Sequence, residues 1–142
     1  MSLTRTLAPL LLAAATSAAL AAPPPKAQLI DHSNGNLIDN ATAKGILADG
    51  IPAKLWKVYP ATKWAFTSQV EGGVTATGTC LVTANVTMLP LSPTLKVPLY
   101  RPEKRATAFE AQAGAGTDQC KELARAKLKQ ALEGVVSSLV KN

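Results

Sequence analysis

The sequence predicts an α+β domain: an antiparallel sheet of about three strands (a hairpin over 62–89 plus a strand over 105–113) packed on a long C-terminal helix over 118–140, with short helical segments before the sheet. Three observations carry this prediction. Residues 73–89, GVTATGTCLVTANVTML, alternate small or apolar side chains with a threonine-rich set. Residues 118–140 repeat apolar side chains at spacings of three and four. The chain has two cysteines, Cys80 in the alternating stretch and Cys120 at the start of the helical one.

In chain order, the first segment is a targeting signal. MSLTRTLAPLLLAAATSAALAA has a basic start at Arg5, a short apolar run, and the small-x-small triplet Ala19-Leu20-Ala21. That is the pattern of a secretory signal peptide over 1–21, with the mature chain starting at Ala22. No apolar stretch reaches the roughly 20 residues of a membrane-spanning helix, so a secreted or periplasmic location without a transmembrane segment is expected. Residues 22–38, opening APPP and containing Asn34-Gly35, read as a flexible proline-rich arm with a turn. A single α+β domain is then expected over 39–142.

DNATAKGILAD, from Asp39 to Asp49, suits a short helix ended by Gly50, and Pro52 can open a second helical turn through PAKLWKVY. Trp64, Phe66, Ser68 and Val70 alternate onto one side of a strand. Gly72-Gly73 follows as a hairpin turn. The second strand puts Val74, Ala76, Gly78, Cys80, Val82, Ala84, Val86 and Met88 on one face and Thr75, Thr77, Thr79, Leu81, Thr83, Asn85, Thr87 and Leu89 on the other. One face is buried and the other meets water. So long a strand should bend, and Gly78 is the cheapest place for a bulge. Pro90, Pro93, Pro98 and Pro102 make 90–104 an extended surface connection.

The third strand, RATAFEAQA, is expected to turn Phe109, Ala111 and Ala113 toward the core. Gly114-Ala115-Gly116 ends it, and Thr117 or Asp118 can cap the last helix. Its stripe is Cys120, Leu123, Ala124, Leu128, Ala131, Leu132, Val135 and Leu139. Small residues on the strand face leave room for this helix, so Cys80 and Cys120 are expected to form a disulfide in an oxidising compartment.

Function is less legible than fold. The only histidine, His32, sits beside Asp31 and Ser33 in the expected arm, and adjacency in sequence does not assemble a triad. Glu71, Glu103 and Glu110 form no motif, GAGTDQ lacks the lysine of a phosphate loop, and two cysteines with a distant histidine make a poor metal set. No catalytic residue, metal or cofactor is therefore assigned. A threonine ladder of the ice-binding kind is broken by Leu81 and Asn85, and the sequons at Asn40 and Asn85 matter only if the source glycosylates.

Two binding candidates remain. Trp56, Lys57, Tyr59 and Lys63, with Trp64 beside them, interleave aromatic and basic types. Tyr100, Arg101, Lys104 and Arg105 fall on the proline-rich connection. With a formal net charge of +6, of which Arg5 leaves with the signal, these suit a protein partner or an anionic envelope polymer; nucleic acid is set aside. The main reading is a secreted or periplasmic, non-catalytic binding or accessory protein. A small secreted hydrolase would instead need His32 facing a carboxylate or two facing carboxylates. A structural or assembly protein of the envelope would show a bare sheet edge or an exposed apolar patch.

Overall fold

The structure, a computed structural model, describes residues 23–24 and 27–140; the expected signal peptide and the Ala22 start lie outside them. The elements in order are β1 (Gln28–Asp31), α1 (Asn40–Gly50), α2 (Ala53–Val58), β2 (Trp64–Val74), β3 (Thr79–Pro90), β4 (Lys104–Ala113) and α3 (Thr117–Val140). The strands form one mixed sheet in the order β1-β2-β3-β4, with only the β1–β2 pair parallel. This is the expected α+β class with one strand more than the pattern announced.

That extra strand corrects the reading of 22–38. Gln28 to Asp31 pair with Ala65 to Ser68, and the N–H groups of His32 and Asn34 extend the ladder to the carbonyls of Ser68 (2.9 Å) and Val70 (2.8 Å). Leu37 and Ile38 are buried in the core. A four-residue strand has too few alternations to announce itself; its place is set by a parallel partner, which a crossover through α1 and α2 makes reachable.

The helices follow local chemistry. Asp39 caps α1, its carboxylate accepting from the Thr42 N–H (2.8 Å) and hydroxyl (2.6 Å). Those bonds from the Thr42 side chain and backbone hold the Asp39 carboxyl below its ordinary pKa. Pro52 precedes α2, as its fixed φ favours. At α3 the cap position belongs to Gly116 rather than Thr117 or Asp118. The Gly116 N–H donates to the Gln119 Oε1 at 3.0 Å, the reciprocal half of a capping box.

The hairpin turn falls at 75–78, not at Gly72-Gly73. Thr75 N–H donates to the Thr79 carbonyl at 2.8 Å, and Gly78 takes φ +74. Register explains the shift. A two-residue turn at 72–73 would set even positions of β2 beside odd positions of β3 and mix the apolar column with the threonine column. The observed pairing, Phe66↔Met88 and Val70↔Ala84, keeps even with even. Gly72 stays within β2 because the strands close there: at its φ of +128, a Cβ would lie 1.9 Å from the Leu81 carbonyl oxygen. The long second strand with a bulge at Gly78 is thereby corrected to two strands and a turn, with Thr75 and Thr77 in the turn.

Cys80, Val82, Ala84, Val86 and Met88 are fully buried against α3, which contributes Ala124, Leu128, Leu132 and Val135, while Leu47 of α1 closes one end of the core. The expected disulfide joins Cys80 to Cys120 with Cα atoms 5.6 Å apart. In β4 the expected side is reversed. Ala108 is buried and Ala106 packs on the core, whereas Phe109 is 63% exposed. The register pairs Ala84 with Ala108, so the even side faces α3, and the helix needs small side chains there because Gly134 sits directly over Ala106. Glu110 meets Lys127 across this interface as an ion pair.

Candidate functional site

With α3 on one face of the sheet, the odd-numbered side chains of β2, β3 and β4 are left on the other. Their rows follow from register: Thr67 beside Thr87 beside Arg105, and Gln69 beside Asn85 beside Thr107. His32 continues β1 at one rim. The connection after β3 folds back over the same face, held by the Leu91↔Pro98 bridge and by the Leu99 N–H on the Pro90 carbonyl (2.8 Å). Tyr100 and Pro102 thus form the opposite wall of a trough of about 340 Å³.

Inside it, Asn85 is the organising residue. Its Oδ1 accepts from Thr107 Oγ1 at 2.6 Å and from Arg105 Nη2 at 3.1 Å. The carbonyl end is thereby saturated and the amide nitrogen is left to donate into the trough. Arg105 has this neutral amide and no carboxylate as its partner among the described residues. Among the described residues no acidic side chain lines the trough.

Those facts bear on the hydrolase alternative. Asp31, the nearest carboxylate in sequence to His32, accepts from Ser33 Oγ (2.5 Å) and Ser68 Oγ (2.8 Å). Glu110 is held by Lys127, and Glu71 accepts from Gln69 Nε2 at 3.2 Å. Among the described residues no group of three or more His, Cys, Asp or Glu side chains gathers as a metal site. No helix among them is long and apolar enough to cross a membrane.

The structure separates the two sets of candidate binding residues. Trp56 and Tyr59 of the α2 region are half-buried on the helix side of the sheet, edge-on to Phe66 (5.5 Å between ring centres) and Trp64 (5.7 Å). The enclosed Trp56 indole N–H has no hydrogen-bond partner among the described residues. Lys57 and Lys63 are exposed nearby. On the connection, Tyr100 is 88% exposed and Arg101 is exposed; Lys104 is half-buried and Arg105 exposed at the start of β4. Tyr100 and Arg105 share the trough with Thr67, Gln69, Asn85 and Thr87. In the sequence Asn85 and Thr87 belong to the wet column of the second strand, and Thr67 and Gln69 alternate with Phe66, Ser68 and Val70 of the first.

The site has a second feature, the outer edge of β4. Gly114 N–H bonds the Gly78 carbonyl at 2.9 Å, and Thr75 N–H bonds the Thr79 carbonyl. In an antiparallel ladder, backbone groups alternate sides. Even residues of β4 therefore bond β3, and Arg105, Thr107, Phe109, Ala111 and Ala113 direct N–H and C=O away from the sheet. Among the described residues no strand pairs with that edge.

No protein-family model and no curated protein matches the chain. Solved structures similar to it include the PelC dodecamer from Paraburkholderia phytofirmans, at 12% identity and TM-score 0.44 over 82% of this chain and 90% of that one. A single-substitution variant of that dodecamer gives 13% identity and TM-score 0.48 over 81% and 93%. A minor lipoprotein from Acinetobacter baumannii gives 10% identity and TM-score 0.41 over 81% and 93%.

Proposed function

We propose that the chain is an exported, non-catalytic envelope protein that acts as an assembly component, pairing the bare β4 edge with the same edge of a second copy. The carrying observation is that edge: a ten-residue strand whose odd residues direct backbone donors and acceptors outward. Edges of this kind are normally blunted by charge, proline or cover. Here the run from Ala106 to Ala113 has no proline, and its single charge, Glu110, is paired to Lys127.

The edge is also self-complementary. Antiparallel pairing about a two-fold axis at Phe109 sets Thr107 opposite Ala111 and Arg105 opposite Ala113, so the cations stay at opposite ends. Phe109 then meets its own copy, covering a ring that is 63% exposed in the single chain. The axis stands perpendicular to the sheet and keeps both open faces, with their troughs, on one side.

Sedimentation equilibrium of residues 22–142 tests this. A reversible dimer is expected, and Ala111→Pro, which removes one outward N–H without touching the β3 ladder, is expected to return it to monomer with unchanged circular dichroism. A chain that stays monomeric at every concentration, or a dimer indifferent to Ala111→Pro, refutes the reading.

A further inference from the structure

We propose that the trough on the open sheet face binds an acidic sugar unit, a pyranose bearing a carboxylate, with Arg105 holding the carboxylate and Tyr100 covering the ring. This goes beyond the edge-pairing reading and uses different groups. It starts from an unneutralised cation. Arg105 is exposed, and its side-chain bond is to the neutral Asn85 amide, which orients the guanidinium without cancelling its charge. A planar guanidinium fork set in one orientation matches a carboxylate with two parallel hydrogen bonds.

The rest of the lining selects what carries that carboxylate. Thr67 and Thr87 offer hydroxyls, Gln69 offers an amide, and the unused Asn85 amide nitrogen donates; these are partners for neutral hydroxyl groups. Register spaces them as two parallel rows rather than a ring around one point, which fits a flat, polyhydroxylated ring better than a compact anion. Tyr100 is 88% exposed on the wall, with an apolar ring face and a phenol able to stay wet. A phosphate-rich ligand would call for more than one arginine with the His32 imidazole at the rim, and a greasy one for fewer amides and hydroxyls. The chain's net charge, +6 before Arg5 leaves with the signal, adds weak long-range attraction for an acidic polymer.

Titration calorimetry of residues 22–142 with tetragalacturonate tests this, with maltotetraose as the uncharged sugar and tripolyphosphate as the charged non-sugar. Binding of tetragalacturonate alone is expected. Arg105→Gln and Tyr100→Ala should each weaken it by about tenfold or more. Lys57→Gln with Lys129→Gln, exposed on the helices α2 and α3 that cover the other side of the sheet, should leave it unchanged. The assignment is overturned if tetragalacturonate does not bind, if tripolyphosphate binds as well, or if the Lys57 and Lys129 changes matter as much as Arg105→Gln. Repeating the titration on the Ala111→Pro chain reads sugar binding apart from dimer formation: retained affinity there is the expected result, and its loss would overturn an independent trough.

Discussion

Gly134 and Gly45 both lie inside helices, and the same substitution should move stability in opposite directions at the two sites. Replacing a helix-interior glycine by alanine relieves backbone entropy and stabilises by up to about 1 kcal/mol where nothing stands in the way. At Gly45 of α1 the new Cβ meets nothing within 4 Å, so Gly45→Ala should gain close to that amount. At Gly134 it would fall 2.9 Å from the Cβ of Ala106. Carbon atoms pack best at about 3.5–4.0 Å, and Ala106 has no rotamer with which to retreat, so α3 would have to lift from β4. Overpacking of this kind costs about 1–3 kcal/mol, which exceeds the helix gain, and Gly134→Ala should destabilise by about 1 kcal/mol. Pairing it with Ala106→Gly restores the gap, so the double-mutant cycle isolates the overlap. Urea unfolding followed by circular dichroism, with the disulfide intact, should give a favourable coupling of at least about 1 kcal/mol. A coupling below about 0.5 kcal/mol, or a stabilising Gly134→Ala, would refute the claim that close approach of α3 to β4 sets the inner face of the sheet.

Two further outcomes follow from the core. Replacing Cys80 and Cys120 together by alanine frees a loop with a sequence separation of 40, for which the chain-entropy relation gives about 4 kcal/mol. A thermal melt should fall by roughly 15 °C, and a fall under about 5 °C would count against that relation here. Trp56→Phe keeps an edge contact with Phe66 and removes an enclosed N–H that has no partner among the described residues, so it should change stability by less than about 1 kcal/mol. A larger loss in chemical denaturation would mean that this N–H is hydrogen-bonded in solution.

Alternation and periodicity made the strands and the last helix legible, because both patterns are local. The even column from Cys80 to Met88 is the buried face, and the stripe from Cys120 to Leu139 is the face that covers it. Joining the two by Cys80 and Cys120 needed only the observation that a small-residue strand face admits a helix. The place of the hairpin turn is also legible in parity. Phe66, Ser68 and Val70 share parity with Cys80 and Val82, and a two-residue turn at Gly72-Gly73 violates it. Glycine in that pair signals close strand approach at the Leu81 carbonyl rather than a reversal. The remaining differences were not local. Which side of β4 faces α3 depends on its register with β3, and a large Phe109 misleads where the helix leaves room only for alanine. β1 has no pattern of its own and exists because the crossover delivers it to β2.

The trough was hidden for a related reason. Tyr100 and Arg105 stood out in sequence as exposed aromatic and basic types, but their partners there come from three other elements, and only register brings them together. Thr67, Thr87 and Arg105 are adjacent because the β2–β3 and β3–β4 pairings each join positions of like parity. Consequently the two sides of the sheet are not independent. The pairing that packs Val86 against α3 is the same pairing that sets Thr87 between Thr67 and Arg105, one residue along and on the opposite face. A slip of one residue in β3 would bury threonines and dissolve the polar rows in a single step, so the buried column and the hydrophobic grip of α3 maintain the geometry of the open face.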